Sequence, residues 1–292
     1  MPIESPGDSS APDIRISVAA SPAVPPTVDR SSAGSHFRRN VCLTWAALSA
    51  LLGGACYELH LDFAYVAQKL PFLLGLRLAP DGFIQGAALT IFVTACSMFF
   101  ALLVALLTAL GRLSRNPVAF AVATFYASLF RGTPLMVQVL IIYLALPQIG
   151  IVLGALSSGL IALSLNYGAY LAETIRSGVI GVPAGQREAA LALALPRWII
   201  AWKVIAPQAM RLIIPPASAL FVSMLKDSSL VSLMGLWELN FLAQSYARAS
   251  YHYMEMLIAA ALIYWALSIV FELVQFRLER RFGKGAVASG KR

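Results

Sequence analysis

Charge is scarce in this sequence. Asp, Glu, Lys and Arg make up 12% of its 292 residues, about half the roughly 25% of an ordinary soluble domain. Histidine is scarcer: His36, His60 and His252 stand far apart, near no run of carboxylates. Neither a metal site nor a general-base centre is expected from them. No nucleophile is paired with a base near a charged cluster, which argues against a membrane enzyme. No Gly-x-x-x-x-Gly-Lys-Ser/Thr run occurs, so the chain lacks that device for cradling ATP phosphates. Cysteine is limited to Cys42, Cys56 and Cys96. Their spacing fits no metal or disulfide framework, and they read as small buried apolar residues.

What is present is apolar residue, 59% of the chain, with a mean hydropathy of +0.75. It comes in long blocks, which one core of this size could not hide but a bilayer could. Residues 1–40, rich in Ser, Pro and Ala, read as a disordered cytoplasmic tail. Residues 41–57 follow two arginines and form a short leading span. A signal peptide is disfavoured because a long polar tail precedes it. Residues 58–81 read as a periplasmic loop.

Five further spans are expected at Phe83–Leu110, Val118–Leu146, Ile151–Ile175, Leu212–Leu236 and Met254–Phe276. The second is interrupted by Arg131-Gly132-Thr133-Pro134, and the fourth by Lys226-Asp227. The fold class is therefore an all-α integral membrane bundle. With both ends cytoplasmic, sixteen Lys and Arg from Arg30 onward fall on the inner side, among them Arg112, Arg115, Arg176, Arg187 and Arg197. Four fall outside: Lys69, Arg77, Lys226 and Arg248. That bias sets the orientation. It also accounts for the net charge of +8 without invoking nucleic acid. No inverted repeat stands out.

The basic, cytoplasmic stretch at about 177–211 contains a helix-like core. Gly185 is a start signal, Gln186 to Leu195 are mostly good helix formers, and Pro196 discourages continuation. Ala189, Ala190, Ala192 and Ala194 make this helix thin, so another backbone can approach closely. Glu188, placed in the first turn, suits the positive end of the dipole. Composition alone favours an alanine-rich linker helix lying on the membrane surface.

The pattern Gly185-x-x-Glu188-Ala189-Ala190, followed by Pro207-Gln208-Ala209, resembles the EAA loop of binding-protein-dependent ABC importers. Three more segments resemble the polar amino acid branch of those permeases, in the same order and spacing. They are Arg131-Gly132-Thr133-Pro134-Leu135, Leu165-Asn166-Tyr167-Gly168-Ala169-Tyr170-Leu171-Ala172-Glu173 and Leu225-Lys226-Asp227-Ser228-Ser229-Leu230-Val231-Ser232. The resemblance covers about residues 82–282 and implies a MetI-like permease bundle of five core helices. Residues 41–57 are an added helix with no transport role assigned, and 283–292 a cytoplasmic tail.

The resemblance further implies a transmembrane permease subunit of an ATP-driven polar amino acid importer, with no cofactor and no catalytic site of its own. A separate homodimeric ATPase subunit would hydrolyse ATP. A periplasmic amino-acid-binding protein would deliver substrate. A second permease subunit, identical or similar, would complete the pathway within the inner membrane lipid. Gly185, Glu188, Ala189, Ala190, Ala194 and Pro207 would couple to the ATPase. The family usually has Gly where this chain has Ala194, which favours a helix running slightly longer or bending differently.

Arg131, Asn166, Glu173, Lys226, Asp227 and Ser228 are candidates for the translocation pathway. Charges within spans are costly and face a bundle interior or a wet cavity. Glu173 and Arg176, three apart, could equally pair on one helix face. Arg131 could hydrogen-bond carbonyls freed at the Gly-Thr-Pro break, or line the path. Lys226 and Asp227, adjacent and unable to face each other, fit a pathway lining, a loop at the outer surface, or packing.

Overall fold

The computed structural model describes residues 35–58, 62–79 and 82–282. The rest of the expected tails, and His60, lie outside the described residues. Two units divide the chain at His60/Leu61. The first contains α1 (Ser35–Glu58), a 24-residue helix. It begins six residues before the expected boundary at 41, so residues 35–40 are helical and not part of a tail. Cys42, expected to be buried, is exposed on it.

The second unit is helical throughout its regular structure. Its elements are α2 (Phe63–Leu73), α3 (Gly86–Leu113), α4 (Pro117–Gly132), α5 (Leu135–Leu140), α6 (Ala155–Ile180), α7 (Ala184–Ala192), α8 (Arg197–Ile199), α9 (Ala206–Asp227), α10 (Leu239–Ser250) and α11 (Tyr253–Phe282). A π turn at Ile141–Ala145 extends α5, and another at Ile200–Ile205 joins α8 to α9. Three runs among the described residues are long and apolar enough to cross a membrane: Gly86–Leu113, Arg197–Met234 and Tyr253–Arg277. A fourth forms if the bent pair Pro117–Gly132 and Leu135–Ile149 counts as one span.

α6 has the length of a span, 26 residues or about 39 Å. It carries buried Ser158, Ser164 and Asn166, which dilute its hydropathy. It is the central helix of the bundle. α3 packs along it through Ala101, Ala105, Leu163, Leu171 and Ala172. Small residues permit that closeness, since without water the helices associate by packing and hydrogen bonds. A Cβ on Gly168 would stand 2.9 Å from the Tyr126 hydroxyl and 3.0 Å from Val104 Cγ1. Ser164 Oγ donates to the Ser97 carbonyl at 3.2 Å, joining α6 to α3.

The expected loop at 58–81 contains α2, a correction to the sequence reading. Asp62 caps it, accepting from Tyr65 N at 3.0 Å, and Leu73 is buried against Leu239, Leu242 and Met256 of α10 and α11. Pro71 lies inside the helix and masks it in the sequence. His252, near no cluster of carboxylates in sequence, stacks on Tyr65 at 4.7 Å between ring centroids. Its Nε2 lies 3.7 Å from Asp62 Oδ2.

One buried carboxylate ties these layers together. Glu238 is fully buried and caps α10, accepting from Phe241 N at 2.7 Å and Asn240 N at 2.9 Å. The Tyr264 hydroxyl donates to it at 2.8 Å and the Thr90 hydroxyl at 3.4 Å. Burial pushes its carboxyl up to about 7, against the downward pull of these donors. Beside it, Gly86 N donates to the Trp237 carbonyl at 2.8 Å. Gly86 has φ +62, and a Cβ there would strike the carbonyls of Phe72 and Leu73.

Candidate functional site

The break between α4 and α5 positions the first group of candidate residues. Pro134 holds Thr133 extended, at φ −116 and ψ 144, and the chain bends by 103°. Such a bend frees carbonyls, which inside a membrane must be satisfied by the protein itself. Gln138 does most of this. Its Nε2 donates to Phe130 O at 2.9 Å, Thr133 O at 3.1 Å and Thr133 Oγ1 at 2.7 Å. Asn166 Nδ2 of α6 donates to the same Phe130 carbonyl at 3.1 Å and to Gln138 Oε1 at 3.2 Å. Arg131, one of whose two expected roles was to cap these carbonyls, points elsewhere. Its guanidinium lies 5.6 Å from the Tyr170 ring centroid and 3.4 Å from Glu173 Oε2.

Glu173 is the centre of an ion cluster. Arg112 of α3 and Arg176 of its own helix both hydrogen-bond it, and Arg131 of α4 approaches it. The i,i+3 pair is present, enlarged by two arginines that no local sequence pattern could reveal.

Above this cluster lies a cleft of about 400 Å³. Arg131, Thr133, Asn166, Tyr167, Tyr170 and Asp227 line it. Asp227, at the end of α9, accepts from the Tyr167 hydroxyl at 2.7 Å. Tyr167 was quoted only as part of a motif, yet it is the residue that orients the one carboxylate in the cleft. Lys226 is exposed and Ser228 is buried, donating to Leu225 O at 2.7 Å. Neither lines this cleft. Successive helical residues point about 100° apart, so one member of the Lys226-Asp227-Ser228 run faces α6. Glu173 does not line it either.

The second group lies on α7. The helix starts at Ala184, one residue before the expected Gly185, and ends at Ala192, short of Leu195. Glu188 therefore falls in its second turn. The expected lengthening at Ala194 is corrected: Ala194 has φ +52 and stops the helix. Ala194 N donates to Leu191 O at 2.9 Å and Leu195 N to Ala190 O at 3.2 Å. This is a Schellman closure with alanine where glycine is usual. Ala190 is buried with Val182, Ile200, Ile205 and Ala209. Gly185, Glu188, Ala189, Ala194 and Pro207 are exposed, and a Cβ on Gly185 would meet nothing within 4 Å. Leu193 and Trp198 are also exposed, at 74% and 64%. Gln208 Nε2 reaches Gln186 Oε1 at 3.2 Å, joining α7 to α9. Pro196 does not end the helical path. It starts a new one, because α8, the π turn and α9 form one run into the bundle.

Among the described residues no group of three His, Cys, Asp or Glu could hold a metal. A bent, polar-lined helix bundle with an outward-facing helix on its connecting segment defines a membrane transport subunit. The chain belongs to the family of binding-protein-dependent transport system inner membrane components, whose model matches residues 99–284. It is 40% identical over 200 residues to the L-cystine transport system permease protein of Bacillus subtilis, covering 68% of this chain and 86% of that one. It is 33% identical over 224 residues to the arginine transport system permease protein of the same organism, covering 76% and 98%. A solved amino acid ABC transporter with histidines superposes with a TM-score of 0.69 at 34% identity, over 76% of this chain and 99% of that one. An inward-facing MetNI methionine ABC transporter shares the fold, at 19% identity and a TM-score of 0.57.

Proposed function

We propose that this chain is the membrane permease subunit of an ATP-driven importer that carries polar amino acids across a bacterial inner membrane into the cytoplasm. Both termini face the cytoplasm. A separate ATPase subunit, acting as a homodimer, docks on α7. A periplasmic amino-acid-binding protein delivers substrate to the opposite face. A second permease subunit, identical or similar, completes the pathway. The observation that carries the reading is the cleft between α4, α6 and α9. It offers one anchored carboxylate, Asp227, and one guanidinium, Arg131, to the same space. A zwitterion has the complementary pair of charges, and each ion is costly in the membrane unless so matched.

The chain's own chemistry is conformational. ATP binding can shift the pathway between outward and inward states only if the closed ATPase prefers one of them. α7 is suited to convey that preference, since Ala190 anchors it to the start of the α9 run while Glu188 and Ala189 stay free for the partner. Arg131, Asn166 and Asp227 serve the pathway. Glu173 acts from below by holding Arg131.

The test is ATPase activity in proteoliposomes holding this chain with its ATPase subunit, with and without a loaded binding protein for each polar amino acid. Stimulation by one loaded binding protein supports the importer and names its substrate. A stable membrane protein that forms no ATPase complex would favour a channel acting alone. Within the working complex, Asp227→Asn is expected to lower uptake about tenfold, the loss of one charge-assisted hydrogen bond. Unchanged uptake in both Asp227→Asn and Arg131→Gln would remove the zwitterion cleft.

A further inference from the structure

Beyond Arg131 lies a second cavity of about 410 Å³, between α3 and α4. Arg112, Thr124, Ser128, Arg131 and Tyr170 line it, and no carboxylate does. Its polar groups are under-used. Arg112 Nε and Thr124 Oγ1 are buried with no hydrogen-bond partner, a state that costs free energy unless something fills it. Its charge is also unbalanced. Arg112, Arg131 and Arg176 converge on the single carboxylate of Glu173. One negative charge cannot neutralise three guanidinium groups, each of which carries five donors.

We propose that this cavity is an oxyanion seat, built to take one phosphate or carboxylate group between Arg112 and Arg131. Guanidinium groups suit that partner because their forked donors match the spacing of its oxygens. The Thr124 and Ser128 hydroxyls, one turn apart on α4, supply neutral donors. Two sources of the same chemistry reach this place. Arg112 is one residue from the end of α3, the level at which a spanning helix meets lipid headgroups, so the phosphodiester of an anionic lipid can enter. The cavity also shares Arg131, Gly132 and Tyr170 with the cleft above. The carboxylate of an amino acid leaving that cleft would meet it next, a source that rests on the importer reading.

The experiment uses the full chain with its ATPase subunit in phosphatidylcholine nanodiscs. Binding of dihexanoyl phosphatidylglycerol is measured against dihexanoyl phosphatidylcholine, and binding of radiolabelled N-acetylglycine, a carboxylate at neutral pH, against its neutral amide N-acetylglycinamide. Saturable binding of the anionic probe in either pair supports the seat, and the pair that responds identifies the source. Thr124→Val is expected to weaken it about threefold, and Arg112→Gln about tenfold. Because Arg112→Gln also removes a partner of Glu173, the charge-balanced Arg112→Gln/Glu173→Gln variant is compared by the same measure and keeps the loss. Absence of saturable binding in both pairs, or unchanged affinity in all three variants, overturns the seat. If binding-protein stimulation of the ATPase persists in that case, the importer reading stands without it.

Discussion

The bend at Thr133–Pro134 and the exposed helix α7 handle polar and apolar groups in opposite ways. At the bend, the freed carbonyls of Phe130 and Thr133 are met inside the protein by Gln138 and Asn166. On α7 and the residues that follow it, Glu188, Leu193 and Trp198 are left facing outward. The first region is closed and self-sufficient. The second is stable where it touches its own chain, at Ala190, and unfinished elsewhere. A damaging substitution at the bend should therefore act through stability, and one on α7 through assembly.

The sharpest break of that comparison is Glu188→Lys. It is expected to abolish stimulated ATPase and uptake, on the order of a hundredfold, by placing a like or unmatched charge at a docking face. The melting temperature of the isolated chain should stay unchanged. Co-purification of normal, stimulated ATPase with this variant would show that α7 is not the coupling surface.

Gln138→Leu reverses the pattern. It strips donors from the Phe130 and Thr133 carbonyls and is expected to cost about 2–3 kcal/mol, the penalty for leaving buried acceptors unmet. Thermal unfolding of the purified chain in detergent reads this directly. Undiminished stability with a specific loss of ATPase docking would remove the distinction drawn between the two regions.

Glu238 extends the interior rule to an ionisable group. Its folded value of about 7 lies above the ordinary carboxyl value of 4.5, so the folded state binds the extra proton between them. Its contribution to stability is greatest at low pH and declines as pH rises from about 4.5 to about 7. Glu238→Gln should flatten that part of a stability–pH curve. An identical slope in the variant would assign the dependence elsewhere.

The smallest effect is expected from Ala194→Gly. A non-glycine residue in the left-handed region costs about 1–2 kcal/mol. Relief of that strain should stabilise the α7 segment by about 1 kcal/mol while adding some flexibility in the unfolded chain. Hydrogen exchange at Leu195 N, which closes the motif, is the local measure.

The sequence carried these two regions unequally. Pro134 marked the bend and the Gly185–Ala190 pattern marked α7, because both depend on local backbone rules. Gln138 was invisible as a carbonyl cap, since its task depends on a turn made five to eight residues earlier. The four-member cluster at Glu173 needed α3 and α4 brought against α6. The choice of Asp227 over Lys226 depended on which side of α9 meets Tyr167. Ala194 misled because its helix propensity pointed one way while the Schellman bonds and the burial of Ala190 required the other. α2 was hidden by its proline and revealed only by the pocket that buries Leu73.

The clamp at Glu238 also sets an order of events during synthesis. Thr90 precedes it by 148 residues, and Tyr264 follows by 26. At roughly 5–20 residues per second, the start of α3 waits on the order of ten seconds for the carboxylate. The carboxylate then waits a second or more for the tyrosine hydroxyl. A chain cut short before Tyr264 would leave the acid without its tyrosine hydroxyl.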